Sequence, residues 1–138
     1  MCGIIGYVGS REAKPLLLEG LRRLEYRGYD SAGIALREDD SLAYVRAVGN
    51  LGNLVEAAGT NGSQSHHGLG HTRWATHGGV TERNAHPLTG CDPGRLAIAL
   101  NGIVENYVVL KQRLLADKRH QGEKKSLRAA VRPDRGDD

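Results

Sequence analysis

The sequence lacks several features that would assign it to common classes of protein. None of its 138 residues is phenylalanine, and only Cys2 and Cys91 are cysteines. Two cysteines are too few for a disulfide framework or for a zinc site built from cysteines. No apolar run approaches the ~20 residues that a membrane-spanning helix needs, and the charged and apolar segments of a signal peptide are missing. We therefore expect a cytoplasmic protein without a membrane partner, whose cysteines stay reduced.

An excess of charge of one sign is also missing from most of the chain. Residues 1–117 contain twelve basic and twelve acidic side chains, whereas residues 118–138 contain seven and four, so the net charge of +3 arises in the last segment. A basic stripe with interleaved aromatic residues is absent from the body, so the composition does not favour a nucleic-acid partner. Residues 118–138 have only Leu127 and Val131 as large aliphatic residues, and this composition predicts a basic, disordered tail after a domain at 2–117.

The hydrophobic pattern predicts that strands and helices alternate along residues 1–117. The first strand, at 3–8, is expected to be buried, and Ser10 and Gly28 are the expected N-cap and stop of the helix that follows it. Further strands are predicted at 31–37, 42–48, 69–74 and 95–100, and further helices at 50–58 and 104–115. This order of elements indicates a layered α+β domain.

Cys2 is the first residue with the potential for catalysis. If Met1 is removed, the thiol and a free α-amino group lie on one residue. Cysteine is intrinsically very nucleophilic, and α-amino groups titrate near pH ~7.7–8, so a neutral amine is available to accept the thiol proton. This is the logic of N-terminal-nucleophile (Ntn) hydrolases. Taken alone, however, Cys2 is better explained as a small apolar residue, since most cysteines are structural or inert.

Three further stretches carry more polar groups than a core requires. Residues 26–33 are explained either as the end of a helix with a surface ion pair or as part of a site. Residues 71–78 combine Arg73, which suits a carboxylate, with Trp74, two threonines and two histidines, ahead of glycines that permit loop motion. Asn101-Gly102 is first a turn signal, but an amide beside an unhindered N–H is also a good oxyanion hole.

The histidines do not predict a metal site. His66, His67 and His71 are close in sequence, and His77 and His86 lie beyond them. No HExxH motif or Cys/His zinc spacing is present. Loop histidines at irregular spacing are more often solvated or hydrogen-bonded than bound to metal, so we expect no metal.

Five motifs together resemble a known family. They are the start MCGIIG, LEYRGYDSAG at 24–33, HTRWATHG at 71–78, NAHP at 84–87 and NGIVENY at 101–107. This combination resembles the class II glutamine amidotransferases, and within them the glutaminase domain of the glucosamine-6-phosphate synthases rather than the amidophosphoribosyltransferases or asparagine synthetases. The resemblance covers about residues 1–117. It implies an Ntn αββα sandwich, of which the matched segment is an incomplete, first half.

The resemblance also implies roles for individual residues. Cys2, freed of Met1, would attack the side-chain amide of glutamine, and Asn101 and Gly102 would hold the oxyanion. The substrate-binding residues would be Arg73, Trp74, Thr76 and His77, and Arg27 and Asp30 would support the N-terminus. No cofactor or metal is implied.

In the full enzymes of the family, the partners are fructose 6-phosphate, a C-terminal isomerase domain and a second subunit of a homodimer. Two departures from the family pattern stand out in this sequence. Leu100 occupies a position that is usually His, and residues 118–138 contain no counterpart of a Ser-Glu-Thr-Asp-Thr-Glu segment whose Asp holds the substrate amine. The sequence therefore predicts either a glutaminase or a non-catalytic remnant that at most binds glutamine or a partner subunit.

Overall fold

A computed structural model describes residues 1–76, 78–90 and 94–117. The predictions for His77 and for the tail at 118–138 lie outside these residues. The strands are β1 Gly3–Val8, β2 Ser31–Glu38, β3 Ser41–Val48, β4 His67–Arg73, β5 Leu88–Thr89 and β6 Ala97–Ile98. The helices are α1 Ala13–Arg23, α2 Leu51–Ala58 and α3 Tyr107–Ala116, and a 3₁₀ turn spans Glu25–Arg27. Within the described ranges, no helix is long and apolar enough to span a bilayer.

Four strands form one antiparallel sheet in the order β1-β4-β2-β3, and β5 and β6 form a separate two-stranded ribbon. Helices α1 and α2 pack on one face of the large sheet. Leu17 and Leu21 of α1 and Leu54 of α2 are fully buried there against Ile34 of β2. The leucine spacing along α1 places these side chains on one side of the helix, which explains why α1 lies flat on the sheet.

The opposite face of the sheet is only partly covered. Strand pairing aligns Ile4, His71, Gly33 and Arg46 in one row across this face. The chain at His86 crosses this row so closely that a Cβ on Gly33 would lie 2.3 Å from the carbonyl oxygen of His86. Glycine at position 33 is therefore required for this layer to approach the sheet.

The structure confirms most of the predicted elements and corrects several details. The first strand is not buried on both sides, because Ile4 and Val8 point away from the helices and are exposed. Ser10 is not the N-cap of α1: the helix starts at residue 13 after Glu12, and no side chain caps it. Gly28, with φ of 73°, ends the 3₁₀ turn rather than α1 itself.

The region after residue 80 differs most from the prediction. The strand expected at 95–100 is only β6, and its partner β5 was not predicted because two residues carry no periodic signal. The last helix begins at Tyr107 rather than at residue 104, and none of its residues is buried. Its apolar positions therefore do not form the inward face that the sequence pattern suggested.

Candidate active site

Cys2 lies where β1 meets the end of β4. The pairing of Gly3 with Thr72, reinforced by a hydrogen bond of 3.1 Å from the Gly3 N–H to the Thr72 hydroxyl, fixes this position. The sulfur of Cys2 accepts a hydrogen bond of 3.2 Å from the N–H of Trp74. This backbone hydrogen bond holds the thiol in place. Because the residue is only half-buried, a small molecule can still reach the sulfur.

Asn101 approaches Cys2 from the chain that follows β6. Its side-chain Nδ2 donates to the backbone carbonyl of Cys2 at 3.3 Å, although the two residues are 99 positions apart. Its Oδ1 lies 2.8 Å from Nε2 of His71. Gly102 follows directly and is exposed. The amide of Asn101 therefore bridges a buried strand and the residue that carries the thiol.

The end of β4 and the loop after it contain three of the predicted substrate-binding residues that the structure describes. Arg73 is buried, and its guanidinium donates to the carbonyl of Gly79 at 3.3 Å. Trp74 is half exposed and covers Gly28, where a Cβ would lie only 2.8 Å from the indole. Thr76 is exposed beside them. The chain thus brings a buried cation and an exposed aromatic ring to the same edge as Cys2.

Asp30 and Arg27 support this edge from the segment before β2. The backbone N–H of Asp30 donates to the carbonyl of Arg73 at 2.8 Å, and its carboxylate accepts from the N–H of Ala75 at 2.5 Å. The ammonium of Met1 donates to the carbonyls of Arg27 at 2.9 Å and of Gly28 at 3.3 Å. Arg27 therefore contacts the N-terminus through its backbone, while its guanidinium lies against Tyr26.

Two histidines whose rings pack together, His71 and His86, were not among the predicted site residues. His71 is fully buried, and its ring centroid lies 4.5 Å from that of His86. The Nδ1 atoms of both rings are buried without a hydrogen-bond partner. The sequence did contain a signal for His71: alternation along a strand places it on the same face as Arg73, which was a predicted site residue.

Burial is the main reason that both histidines resist protonation. Burial lowers the pKa of His71, and the nearby charge of Arg73 lowers it further, although the hydrogen bond with Asn101 opposes this shift. Burial also lowers the pKa of His86 to about 4, with further contributions from His71, Arg73 and Arg46. Both rings are therefore neutral at neutral pH. In the described part of the chain, no group of three or more His, Cys, Asp or Glu side chains is arranged to hold a metal ion.

Comparison with curated proteins finds relatives that share one activity name. The chain is 59% identical over 116 residues to glutamine–fructose-6-phosphate aminotransferase [isomerizing] from Thermus thermophilus, which covers 84% of this chain and 19% of that protein. It is 57% identical over 112 residues to the protein of the same name from Gloeobacter violaceus, covering 80% and 18%. The chain therefore spans about a fifth of the length of these curated relatives. No protein-family model matches it.

Two solved structures resemble the fold. One is glutamine phosphoribosylpyrophosphate amidotransferase from B. subtilis complexed with ADP and GMP, with a TM-score of 0.68 and 28% identity over 83% of this chain and 24% of that chain. The other is described as the allosteric regulatory enzyme of purine biosynthesis, with a TM-score of 0.69 and 30% identity over 83% and 25%. Both similarities cover most of the present chain and a quarter of the larger proteins.

Proposed function

The chain is homologous to the glutamine–fructose-6-phosphate aminotransferases over 84% of its own length, and from this relationship we propose that it carries the glutamine-hydrolysing chemistry of a class II glutamine amidotransferase. Its structural neighbours share the Ntn amidotransferase fold, and the described residues form one helix-covered sheet of that fold. The expected fold class is thereby confirmed.

The proposed reaction begins at Cys2 after removal of Met1. The sulfur attacks the side-chain amide carbon of glutamine, and the α-amino group of Cys2 accepts the thiol proton. The tetrahedral oxyanion is stabilised by Nδ2 of Asn101 and the N–H of Gly102. Ammonia leaves with the transferred proton, and water then hydrolyses the thioester to glutamate. The overall change is glutamine plus water to glutamate plus ammonia.

The substrate is held, in this proposal, by the end of β4 and the loop after it. Arg73 binds the glutamine carboxylate, since a guanidinium offers two parallel donors. Thr76 and His77 line the site, and Trp74 gates it. Asp30 keeps the loop in place, in accord with its contact to Ala75, and Arg27 is proposed to support the N-terminus that Cys2 forms once Met1 is removed.

One observation carries the proposal: the amide of Asn101 donates to Cys2 across 99 residues of sequence, while the thiol is held by Trp74. A turn formed by Asn101-Gly102 for local reasons would not bring an amide donor to the only described cysteine. The arrangement matches what an acyl-transfer site needs, a nucleophile with adjacent donors.

Glutamate release from glutamine tests the proposal. The purified chain should produce glutamate, and Cys2→Ala should abolish this, whereas Cys91→Ala, a matched thiol control, should not. Mass spectrometry first establishes that Met1 is gone. If folded, Met1-processed protein shows no turnover, the alternative of a non-catalytic remnant stands, and calorimetry with glutamine on wild type and Arg73→Gln then decides whether it binds this ligand.

The proposed activity of this chain ends with the release of ammonia. The alignment covers 19% of the relative. In our proposal, the unmatched part of the relatives contains the isomerase domain, uses the ammonia on fructose 6-phosphate and forms the homodimer. A cytoplasmic location is likewise a proposal. Addition of fructose 6-phosphate should leave glutamate release by this chain unchanged, because the chain is proposed to hold no site for the sugar phosphate.

A further inference from the structure

The orientation of the Asn101 side chain depends on a neighbour that the proposed mechanism does not use. A carboxamide has a donor end and an acceptor end of nearly the same shape. Only the donor end can stabilise an oxyanion, so a flipped Asn101 would present an oxygen to a developing negative charge. Some contact must therefore select one orientation.

His71 provides that contact. Its Nε2 lies 2.8 Å from Oδ1 of Asn101, and its ring is fully buried in β4. Since a carboxamide oxygen only accepts hydrogen bonds, Nε2 must carry the proton. The other ring nitrogen, Nδ1, has no partner, which fits a nitrogen without a proton in the neutral ring.

The opposite end of the amide then points at Cys2. With Oδ1 bound to His71, Nδ2 donates to the carbonyl of Cys2 at 3.3 Å. A flipped amide would set two acceptor oxygens against each other at Cys2 and two donors against each other at His71. Both contacts therefore oppose the flip.

We propose that His71 is a positioning residue that orients the carboxamide of Asn101, so that its N–H groups face the oxyanion that forms when the Cys2 sulfur attacks the substrate. This inference rests on the proposed glutaminase function for its catalytic meaning, although the hydrogen bond itself does not. Arg73 of β4 and Arg46 of β3 both lower the pKa of His86, and Arg73 also lowers that of His71. Burial, with a smaller contribution from the positive charge of Arg73, keeps the ring of His71 neutral.

Nuclear magnetic resonance tests the hydrogen bond without any need for turnover. In protein with ¹⁵N-labelled histidine, long-range proton–nitrogen spectra at pH 6–8 should show His71 protonated at Nε2 and unprotonated at Nδ1. The variant His71→Asn assigns the signals. Protonation at Nδ1 instead of Nε2 would overturn the proposal, because Asn101 could not then accept from the ring.

A pair of conservative variants tests the effect on the site. The amide nitrogen of glutamine reaches about as far as Nε2 of histidine, whereas that of asparagine reaches about as far as Nδ1. His71→Gln should therefore keep the bond to Asn101, and His71→Asn should lose it while remaining polar. His67→Asn, at an exposed position of the same strand, is the matched control.

The readout compares two ligands by calorimetry. A glutamine analogue with an aldehyde in place of the amide forms a hemithioacetal, in which a bond from sulfur to carbon forms and the thiol proton passes to oxygen. Glutamate occupies the same site but forms no bond to the sulfur, so it has no tetrahedral carbon with an oxygen for Asn101 to stabilise. We expect His71→Asn to weaken aldehyde binding about 10- to 100-fold, somewhat less than removal of an oxyanion donor, with glutamate binding unchanged and with recovery in His71→Gln.

The possible results separate the two proposals. The positioning role would be overturned if His71→Asn lowered the affinities for the aldehyde and for glutamate equally. It would also be overturned if the variant bound the aldehyde as tightly as wild type does. If wild type binds neither ligand, the glutaminase proposal fails, and the spectrum of His71 together with the response of the Asn101 amide signals to His71→Asn still decides the orienting contact. An unchanged Asn101 signal would then reject it.

Discussion

At the scale of single residues, Lys14 shows how a buried charge is satisfied by defined hydrogen-bond partners. Lys14 is buried in α1, yet its ammonium donates to three backbone carbonyls, of Ala58 at 2.6 Å, Gly59 at 2.8 Å and Asn61 at 2.9 Å. These carbonyls lie at and beyond the C-terminus of α2, where a positive charge is favourable. Lys14 therefore links two helices through hydrogen bonds rather than through apolar contact.

Replacement of Lys14 by methionine should be destabilising. The change keeps the aliphatic stem and removes the three donors, so we expect the free energy of unfolding to fall by about 2–3 kcal/mol. Arg22→Met, at an exposed position of the same helix, should change it by less than about 0.5 kcal/mol. Urea denaturation compares the two variants. Equal midpoints would show that the three hydrogen bonds contribute no net stability.

The lowered pKa of His86 leads to a prediction of how the free energy of unfolding depends on pH. Its pKa is lowered to about 4 by burial, His71, Arg73 and Arg46, against about 6.5 in an unfolded chain. A histidine with a lowered pKa contributes its full stability above pH ~6.5 and loses it as the pH falls toward ~4, because the unfolded state binds protons first.

This dependence is measurable by denaturation at several pH values. We expect His86→Asn to flatten the decline of unfolding free energy between pH ~6.5 and ~4. The exposed His67→Asn serves as the control and should leave the slope as in wild type. Carboxylates also titrate in this window, and they are the same in wild type and in both variants. If His86→Asn shows the same decline of unfolding free energy as wild type, the prediction is contradicted.

At the scale of elements, the two first helices begin differently. Asn50 caps α2, since its Oδ1 accepts from the N–H of Asn53 at 3.1 Å. Helix α1 has no side-chain cap, and Glu12, which precedes it, instead accepts from the N–H of Ser63 at 2.6 Å. The start of α1 is therefore determined by a tertiary contact, whereas the start of α2 is determined locally.

Alanine substitutions should separate the two kinds of helix start. Asn50→Ala should cost about 1 kcal/mol of stability, the usual value for a lost N-cap. Ser10→Ala should cost almost nothing, because Ser10 is exposed and lies ahead of the helix. Thermal unfolding followed by circular dichroism gives both values. A larger loss for Ser10→Ala would restore it as the cap.

At the scale of the whole molecule, apolar surface is distributed unevenly. Ile4 and Val8 are exposed on the face of the sheet opposite α1 and α2, and α3 exposes Tyr107, Leu110 and Leu114 at helical spacing. Exposed apolar patches of this kind favour association in solution. The described residues thus include exposed apolar side chains on the uncovered sheet face and on α3.

We expect the protein to associate in a concentration-dependent manner. The double variant Leu110→Lys and Leu114→Lys should reduce the mean mass in sedimentation velocity experiments at equal concentration. The control, Thr60→Lys with Gln64→Lys, adds the same charge at exposed polar positions and should have a smaller effect. Equal behaviour of both variants would show that added charge, rather than the apolar face of α3, governs association.

The sequence by itself determined the elements with strong periodicity and the identity of the proposed nucleophile. Strands β1 to β4 and helices α1 and α2 follow from apolar patterns that are local, and the five motifs indicated the relatives that the comparisons found. The short strand β5 could not be predicted, because two residues carry no periodic signal, and β6 was predicted too long. Helix α3 was predicted to begin at residue 104 instead of Tyr107, and none of its residues is buried.

Only the tertiary structure decided how the site is assembled. The sequence named Cys2 and Asn101 but could not show that the amide donates to Cys2, or that the buried His71 holds its other end. The physical reason is that these contacts join residues far apart in sequence: the ladder between β1 and β4 pairs residues 3 and 72, and so places Cys2 at the end of the strand that carries His71.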